Sequence, residues 1–494
     1  MPAETLIGID IGTTAVKAVM VETGGRVVAE YAAPYRTARP RPGQVEQDPE
    51  DWLRLALRAL DTFAALDLAG VRGIGLTGQV NTHVFLDAAL RPVRPAIVWQ
   101  DARAAAEAAA LDATVSADEK LAWFGAPMPL DASHALSRMA WVAAHEPDAW
   151  ATTAHVLAPK DFLLARLTGV VAADPIASVG LVGGDLGYVA PLLARVDGAA
   201  RRLAPLADPL AAVGRVRDGL PCAGVPVTLG TMDAWAGMFG VGVASPGEAM
   251  YLSGTSEVLG LIAPVRAPTP GVIVFPAWRG LVVQMAPTQA GGASLEWLAQ
   301  LLGRSPAELA AAATGEIGAA SPLFLPHLEG ERAPLWDAGA RGAFAGLTTG
   351  SDDVALCLAV MEGVAFSARL AFEALEASAD LRAPLLRAGG GGMQSDRWCR
   401  LRADVFGRPH RRMASRYAAA LGAAVCAGVG SGATGSLAEA AGLVRPDATF
   451  DPGPGAALAD ERFATWREFY AQIRPINARL GGVPGRTSEP LTPG

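Results

Sequence analysis

Ile7-Gly8-Ile9-Asp10-Ile11-Gly12-Thr13-Thr14-Ala15-Val16-Lys17 is the stretch whose reading decides the fold. A second version stands about half a chain later, as Ala249-Met250-Tyr251-Leu252-Ser253-Gly254-Thr255-Ser256-Glu257-Val258. Each reads as an apolar strand that enters Gly-Thr-(Thr/Ser) and leaves through a second apolar strand. A glycine turn lets backbone N–H groups converge, and the hydroxyls add donors, which suits the dense negative charge of a polyphosphate. One such turn is an ordinary hairpin. Two with matching flanks predict two similar domains, each offering a small polar turn, together a nucleotide clamp. Gly12, Thr13, Thr14, Gly254 and Thr255 are the candidate phosphate ligands.

The first copy also carries Asp10. A carboxylate beside a phosphate repels it unless a cation intervenes, so Asp10 is assigned to a Mg²⁺ site, with a turn-capping role as the alternative. Lys17 is one of three lysines. It is a candidate phosphate ligand, and a solvated strand end is the competing reading.

The chain has 494 residues, more than one core accommodates and enough for two domains. Apolar residues make up 51% and charged residues 18%, so real cores are expected. A net charge of −8 argues against a general binder of nucleic acid or anionic membrane. Cys222, Cys357, Cys399 and Cys426 form no Cys-x-x-Cys pair, and the histidines show no His-Glu-x-x-His spacing. Neither a disulfide framework nor a zinc site is expected. No signal-peptide pattern precedes the first strand, and a cytoplasmic location is the expectation. Residues 417–438 carry no charge, but they are mostly Ala and Gly. They read as a tightly packed buried helix and a glycine-rich loop rather than a membrane span.

Periodicity predicts three strands in a meander over 5–36 and a helix over 48–66 that starts at Asp48-Pro49-Glu50. Strands follow at 71–76, 81–87 and 96–99, and helices at 102–111 and 137–145. A strand over 225–229 stops at Gly230-Thr231-Met232-Asp233, and a small-residue helix covers 234–240. Pro246-Gly247 marks the boundary between a domain over 1–246 and a second over 247–480, with a frayed tail over 481–494. The second half predicts strands over 248–264, 281–285 and 385–388. Its helices begin near Gly292, span 354–378 and span 395–406. Strands followed by helices in both halves mean α/β domains.

Asp233 stands where a strand gives way to a helix, the place where α/β folds present ligand-binding groups. Phosphoryl transfer to a hydroxyl needs a base there, so Asp233 is the candidate catalytic residue; a helix N-cap is the alternative. Gly389 to Gly392 remove side chains where a flat ring could lie, which makes Gly391 and Gly392 candidate adenine or ribose contacts. Gln79, Asn81, Trp99, Asp101 and Arg103 offer the donors, acceptors and apolar wall that a polyol needs. There is no Rossmann fingerprint, no P-loop and no protein-kinase signature.

Several pieces together resemble one family. They are the Asp10 to Thr14 loop; Glu46-Gln47-Asp48-Pro49; Gly78-Gln79; Pro95-Ala96-Ile97-Val98-Trp99 with Asp101 and Arg103; Pro159-Lys160-Asp161; the Asp233 segment through Val241-Gly242-Val243; Ser253-Gly254-Thr255-Ser256; Phe324-Leu325-Pro326 through Gly330-Glu331-Arg332-Ala333-Pro334; and Gly390-Gly391-Gly392 with Trp398. The chain resembles the FGGY carbohydrate kinases, most closely the xylulokinases, from Ile7 to about residue 475. The resemblance implies two ribonuclease-H-like domains of the actin and hexokinase type with an interdomain cleft, ATP and Mg²⁺ as cofactors, and a small sugar as the other partner. It leaves room for a homodimer. It further implies Asp233 as catalytic base, Asp10 and Asp233 at the metal, and Gly292, Gly392, Met393 and Asp396 at the nucleotide. The sugar would meet Gln79, Val80, Asn81, Trp99, Asp101 and Asp233.

The departures cluster in the sugar pocket. Xylulokinases usually read Gly-Gln-Met-His where this chain has Gly78-Gln79-Val80-Asn81, and they usually place Asn where it has Ala234. Losing hydrogen-bond partners changes which hydroxyl pattern is accepted. Glycerol kinases carry Arg-Glu after the Gly-Gln, which is absent here. A kinase for another ketose or a polyol is therefore the alternative within the class. An actin- or chaperone-like ATPase, or a sugar sensor, is the alternative outside it.

Overall fold

The computed structural model describes residues 4–66, 70–126 and 128–480. The tail 481–494, expected to fray, lies outside them. The chain divides into two compact units, and the division is discontinuous. The first holds Met1–Glu248, Val274–Val283 and Met413–Asp447; the second holds the remainder.

The first unit is built on a six-stranded sheet of β1 (Thr5–Ile11), β2 (Ala15–Glu22), β3 (Val27–Pro34), β4 (Val71–Gly78), β5 (Ala212–Arg215) and β6 (Pro226–Met232), in the order β5-β6-β4-β1-β2-β3. β1, β2 and β3 form the expected antiparallel meander, while β4 runs parallel to β1 and β6 parallel to β4. All seven residues of β1 are buried, because helices cover both of its faces. Ile7, Ile9 and Ile11 pack with Trp52 of helix Pro49–Ala64 and Phe162 of helix Pro159–Thr168. Asp48 caps the former by accepting from the Glu50 N–H, 2.9 Å.

The other face, shared by Gly8 and Asp10 through strand alternation, meets helix Ala418–Gly430. The sequence reading puts this helix in the second domain. It packs in the first unit because its surface and the sheet are both made of small residues, and their backbones nearly touch. A Cβ on Gly75 would lie 1.8 Å from the Ala423 carbonyl oxygen and one on Gly8 1.8 Å from that of Ala420, while on the helix itself one on Gly422 would lie 1.6 Å from the carbonyl oxygen of Ala236 in the neighbouring helix Asp233–Gly240. The charge-free stretch is thus a buried helix.

Two expected boundaries move. β6 continues to Met232 rather than stopping at Leu229. Its pairing with β4 slips between Thr228 and Thr231, at Gly230 with φ +68°. This bulge lets the ladder resume at Thr231 opposite Thr77 and Met232 opposite Gly78, and it re-aims the end of the strand. The strand expected over 81–87 shrinks to Val84–Leu86, and Asn81 adopts φ 53°. The buried Arg138 guanidinium takes the carbonyls of Asn81, Ile97 (3.1 Å) and Val98 (2.7 Å), and outside the short strand the pairing continues only as the isolated His83–Ile97 bridge.

The second unit repeats the theme. Its sheet comprises β7 (Ala249–Ser253), β8 (Glu257–Ile262), β9 (Ile273–Val274), β10 (Val283–Pro287), β11 (Leu386–Gly389), β12 (His410–Met413) and β13 (Pro446–Phe450). The order is β9-β10-β8-β7-β11-β12-β13. Both sheets share one core: an antiparallel hairpin (β1-β2 and β7-β8), one strand beside its second member (β3 and β10), and two in succession on the far side of its first (β4 then β6, β11 then β12). Helix Asp353–Ala379 is long and apolar enough to cross a bilayer by length and composition, yet 72% of its most apolar window is buried in protein. Phe366, Phe372 and Leu375 pack with Phe406, Phe463 and Trp466 in this unit's core.

Gly422→Ala places a methyl group where no space exists. It is expected to destabilise the first unit by about 3 kcal/mol or more, read as a lower urea midpoint; an unchanged midpoint would refute the close packing.

Candidate active site

The carboxyl ends of β1, β4 and β6 lie level with one another. Ile11 pairs with Gly78, and Gly78 with Met232. Asp10 therefore sits one residue inside the end of β1, and Asp233 comes directly after β6 as the first residue of helix Asp233–Gly240. With β4 between them, their backbones are roughly 10 Å apart at the usual strand spacing. That gap leaves room for an ion or a phosphate oxygen.

Both acids are perturbed. Burial pushes the Asp10 carboxyl up to about 6, opposed by Lys17, its partner across the hairpin. Asp10 Oδ1 is buried and has no hydrogen-bond partner among the described residues. An acceptor left this way inside a protein is costly unless a ligand completes it. Burial, then the Asp10 charge, pushes the half-buried Asp233 up to about 7, while the Ala234 N–H donating to its Oδ1 at 2.8 Å pulls the other way. Asp233 is thus the helix's own first residue and not the N-cap, which is Met232.

The first turn is held from three sides. Tyr35 Oη donates to the Gly12 carbonyl, Gln47 Nε2 to the Thr13 carbonyl at 2.8 Å, and Trp99 Nε1 to Thr13 Oγ1 at 3.1 Å. Indole N–H groups only donate, so the Thr13 hydroxyl accepts there and keeps its own proton for another acceptor. Thr14 is exposed at the tip, and Lys17 is half-buried on β2. Behind the site, Thr77 Oγ1 donates to the Thr231 carbonyl (2.6 Å) and Thr231 Oγ1 to Asp174 (3.0 Å). Lys160 pairs with Asp174 (2.7 Å) and Asp161 (2.6 Å). This buried cluster anchors the tail of the bulged strand that carries Asp233.

The proposed sugar residues separate. Gln79 is buried, while Val80, Asn81 and Trp99 are half-buried. Asn81 Nδ2 reaches Ser133 Oγ at 3.4 Å. Asp101 is different: Oδ1 takes the Arg103 N–H and Nε, and Oδ2 takes the Val45 N–H (2.5 Å) and Arg103 Nη2 (2.8 Å). Both its oxygens are engaged within the protein, on Val45 and Arg103.

In the second unit the turn is tighter than its counterpart. Gly12 N–H donates to Ala15, whereas Gly254 N–H donates to Ser256, leaving Thr255 alone at the tip. Helix Gly292–Leu301 docks on this turn through Gly292 N–H to Gly254 (2.9 Å) and Ala293 N–H to Thr255 (3.1 Å). A Cβ on Gly292 would meet the Gly254 carbonyl oxygen at 2.7 Å. The glycine run divides likewise. Gly390 and Gly392 press on Ser253, while Gly391 faces open space. Met393, expected at the nucleotide, turns its side chain into the core, where Arg402 Nη1 meets its Sδ at 3.2 Å. Asp396 is exposed and paired with Arg412 at 2.8 Å.

Sequence reasoning missed Glu257 and Arg402. Arg402 Nη2 donates to Ser253 Oγ (2.9 Å) and meets Glu257 Oε1 (3.3 Å), while Nη1 donates to the Gly392 carbonyl (2.8 Å). This fully buried pair ties the turn to the glycine run. Burial holds the Glu257 carboxyl up at about 7, against the pull of Arg402. Its one signal was an acid immediately after the turn, at the start of an apolar strand.

Comparison with known proteins fits this geometry. The models of the FGGY family of carbohydrate kinases match residues 5–240 (N-terminal domain) and 249–431 (C-terminal domain). A xylulose kinase of Klebsiella pneumoniae is 33% identical over 485 residues, covering 94% of this chain and 98% of that protein. One from Escherichia coli strain K12 is 31% identical over 487 residues, covering 96% and 100%. A crystal structure described as a xyloylose kinase from Brucella ovis superposes with a TM-score of 0.83 at 30% identity, covering 96% of this chain and all of that one.

The raised acids give a pH signature. The folded pKa of Asp233, about 7, exceeds the ordinary 3.8, so folding favours its protonated form. That stability is full below about pH 4 and is lost as pH rises through 7. Asp233→Asn is expected to melt higher than the unsubstituted protein at pH 8, by at most ~4 kcal/mol of stability, with the gap closing near pH 4. A gap that does not change with pH would contradict the assignment.

Proposed function

The chain belongs to the FGGY family of carbohydrate kinases, and from that premise we propose that it transfers the γ-phosphoryl group of ATP to a hydroxyl of a small ketose, a pentulose such as xylulose. The observation that carries this reading is the pair of perturbed acids at the carboxyl ends of the parallel strands β1 and β6, on either side of β4.

Asp233 accepts the proton of the attacking hydroxyl as the new P–O bond forms. A base near neutrality combines adequate basicity with a sizeable deprotonated fraction. Asp10 and Asp233 would hold Mg²⁺, which neutralises charge on the phosphates when bound. Magnesium commonly takes one or two carboxylates and completes its shell with water and phosphate. The unpartnered Asp10 oxygen fits that demand, and among the described residues no group of three or more His, Cys, Asp and Glu gathers as a protein cage. Gly12, Thr13, Thr14 and Lys17 in the first unit, and Gly254 and Thr255 in the second, serve the phosphates. Gly292, Gly391, Gly392 and Asp396 serve the nucleoside, with Met393 acting from beneath. Gln79, Val80, Asn81 and Trp99 serve the sugar. The three buried cysteines and the half-buried Cys222 are all free thiols, compatible with the cytoplasm.

One observation favours a second substrate reading, another ketose or a polyol. Asn81 is turned into a left-handed conformation toward Ser133, and Ala234 brings no side-chain amide beside Asp233. A panel of pentuloses, hexuloses and polyols in a coupled ADP-release assay separates the two.

Asp233→Ala is expected to retain sugar and ATP binding while losing at least ~10²-fold in kcat; retained turnover would remove Asp233 from its role. Asp10→Asn is expected to shift the Mg²⁺ activation curve to higher concentration, and a superimposable curve would exclude it from the metal.

A further inference from the structure

Gln47, to which the proposed function gives no role, joins the two halves of the first unit's site. It is 2% exposed and sits on the two-residue strand Glu46–Gln47. Its Nε2 donates to the Thr13 carbonyl (2.8 Å) and to Thr37 Oγ1 (2.8 Å). Its Oε1 accepts from Gln79 Nε2 (2.9 Å). Gln79, also 2% exposed, donates its N–H to the Ile11 carbonyl (2.9 Å), and its Oε1 is buried with no partner among the described residues. Trp99 closes the other side through Thr13 Oγ1 (3.1 Å), and its own N–H donates to Thr82 Oγ1 (3.1 Å).

The direction of every bond in this relay is set by its two fixed ends. The Thr13 carbonyl only accepts, so Gln47 must turn its NH₂ toward it. The Gln47 oxygen then faces Gln79, which must answer with its own NH₂. Gln79 is left presenting a bare oxygen. At the indole end the Thr13 hydroxyl is forced to accept, so its proton stays available. Reversing either amide would set oxygen against oxygen or NH₂ against NH₂. A buried amide oxygen without a donor is expensive, which is the mark of a group kept for a ligand.

We propose that Gln47 is a positioning residue that fixes the polarity of the site: an acceptor, Gln79 Oε1, for one donating hydroxyl of the sugar, and a donor, Thr13 Oγ1–H, for a phosphate oxygen. This deepens the sugar-kinase reading and rests on it. It specifies that the sugar is recognised through the proton of one hydroxyl other than the one phosphorylated. It also makes Gln47 the shared support of sugar and phosphate contacts.

The test uses the full chain, the ketose it phosphorylates best, and the monodeoxyfluoro analogues of that ketose that keep the phosphorylated hydroxyl. Fluorine replaces a hydroxyl at similar size but cannot donate. One analogue is expected to lose about tenfold or more in kcat/KM, mainly through KM, because it leaves the Gln79 oxygen unpaired. In Gln47→Leu the Gln79 amide is free to rotate, and that discrimination is expected to fall below about threefold. Gln47→Glu still accepts from Gln79 but sets oxygen against the Thr13 carbonyl. It is expected to keep the discrimination while the KM for ATP rises at least about fivefold. Equal use of all analogues by the unsubstituted enzyme overturns the inference alone. So does undiminished discrimination in Gln47→Leu, or an unchanged KM for ATP in Gln47→Glu. If Gln47→Leu does not fold, the other two arms decide. Failure to phosphorylate any ketose overturns the proposed function and this inference with it.

Discussion

A carboxylate at the end of a wholly buried strand is the constraint on which the first unit turns. Burying Asp10 costs free energy that nothing in the described residues repays in full. Lys17 opposes it across the hairpin, yet one oxygen remains without a partner. Such a group persists only where the surrounding structure leaves it no alternative. Helices on both faces of β1, one of them in backbone contact with it at Gly8, exclude the water that would otherwise solvate it. The same exclusion lifts Asp233, which in turn feels the Asp10 charge. Close packing and site chemistry are therefore one arrangement.

The second unit solves a related problem by other means. Its turn holds no acid like Asp10. Instead a buried pair, Arg402 and Glu257, clamps Ser253 and the Gly392 carbonyl from behind. Buried ion pairs are weak contributors to stability but specify geometry where several hydrogen bonds converge. Here the geometry specified is that of a single-residue tip at Thr255 beside an open Gly391. One turn is organised around an unmet charge and the other around a satisfied one.

In the proposed function, substrate choice depends on a smaller set of groups. Gln79 and Asn81 come after a strand whose end is fixed by β1 on one side and by the bulged β6 on the other. Arg138 holds the carbonyls of Asn81 and Val98, and the chain turns at Asn81 with φ 53°. Asp101 spends both oxygens on Arg103 and Val45, so its contribution is rigidity. In that reading, recognition falls to a few uncommitted atoms on an overdetermined frame.

The sequence by itself determined the features that neighbouring residues encode. The two Gly-Thr turns, the meander, the capped helix after Asp48 and the placement of Asp10 and Asp233 at strand ends all come from local periodicity and turn chemistry, and the family resemblance from motifs of a few residues each. Only the tertiary structure decided which distant segments meet. Helix Ala418–Gly430 joins the first unit because small residues on three elements permit backbone contact, a property no single segment displays. Gln47 reaches Thr13 and Gln79, Arg402 reaches Ser253, and Met393 turns inward, each through partners that sequence spacing does not pair. Hydrogen-bond polarity and desolvation depend on everything surrounding a group in three dimensions, whereas periodicity records only which way a side chain faces along its own element.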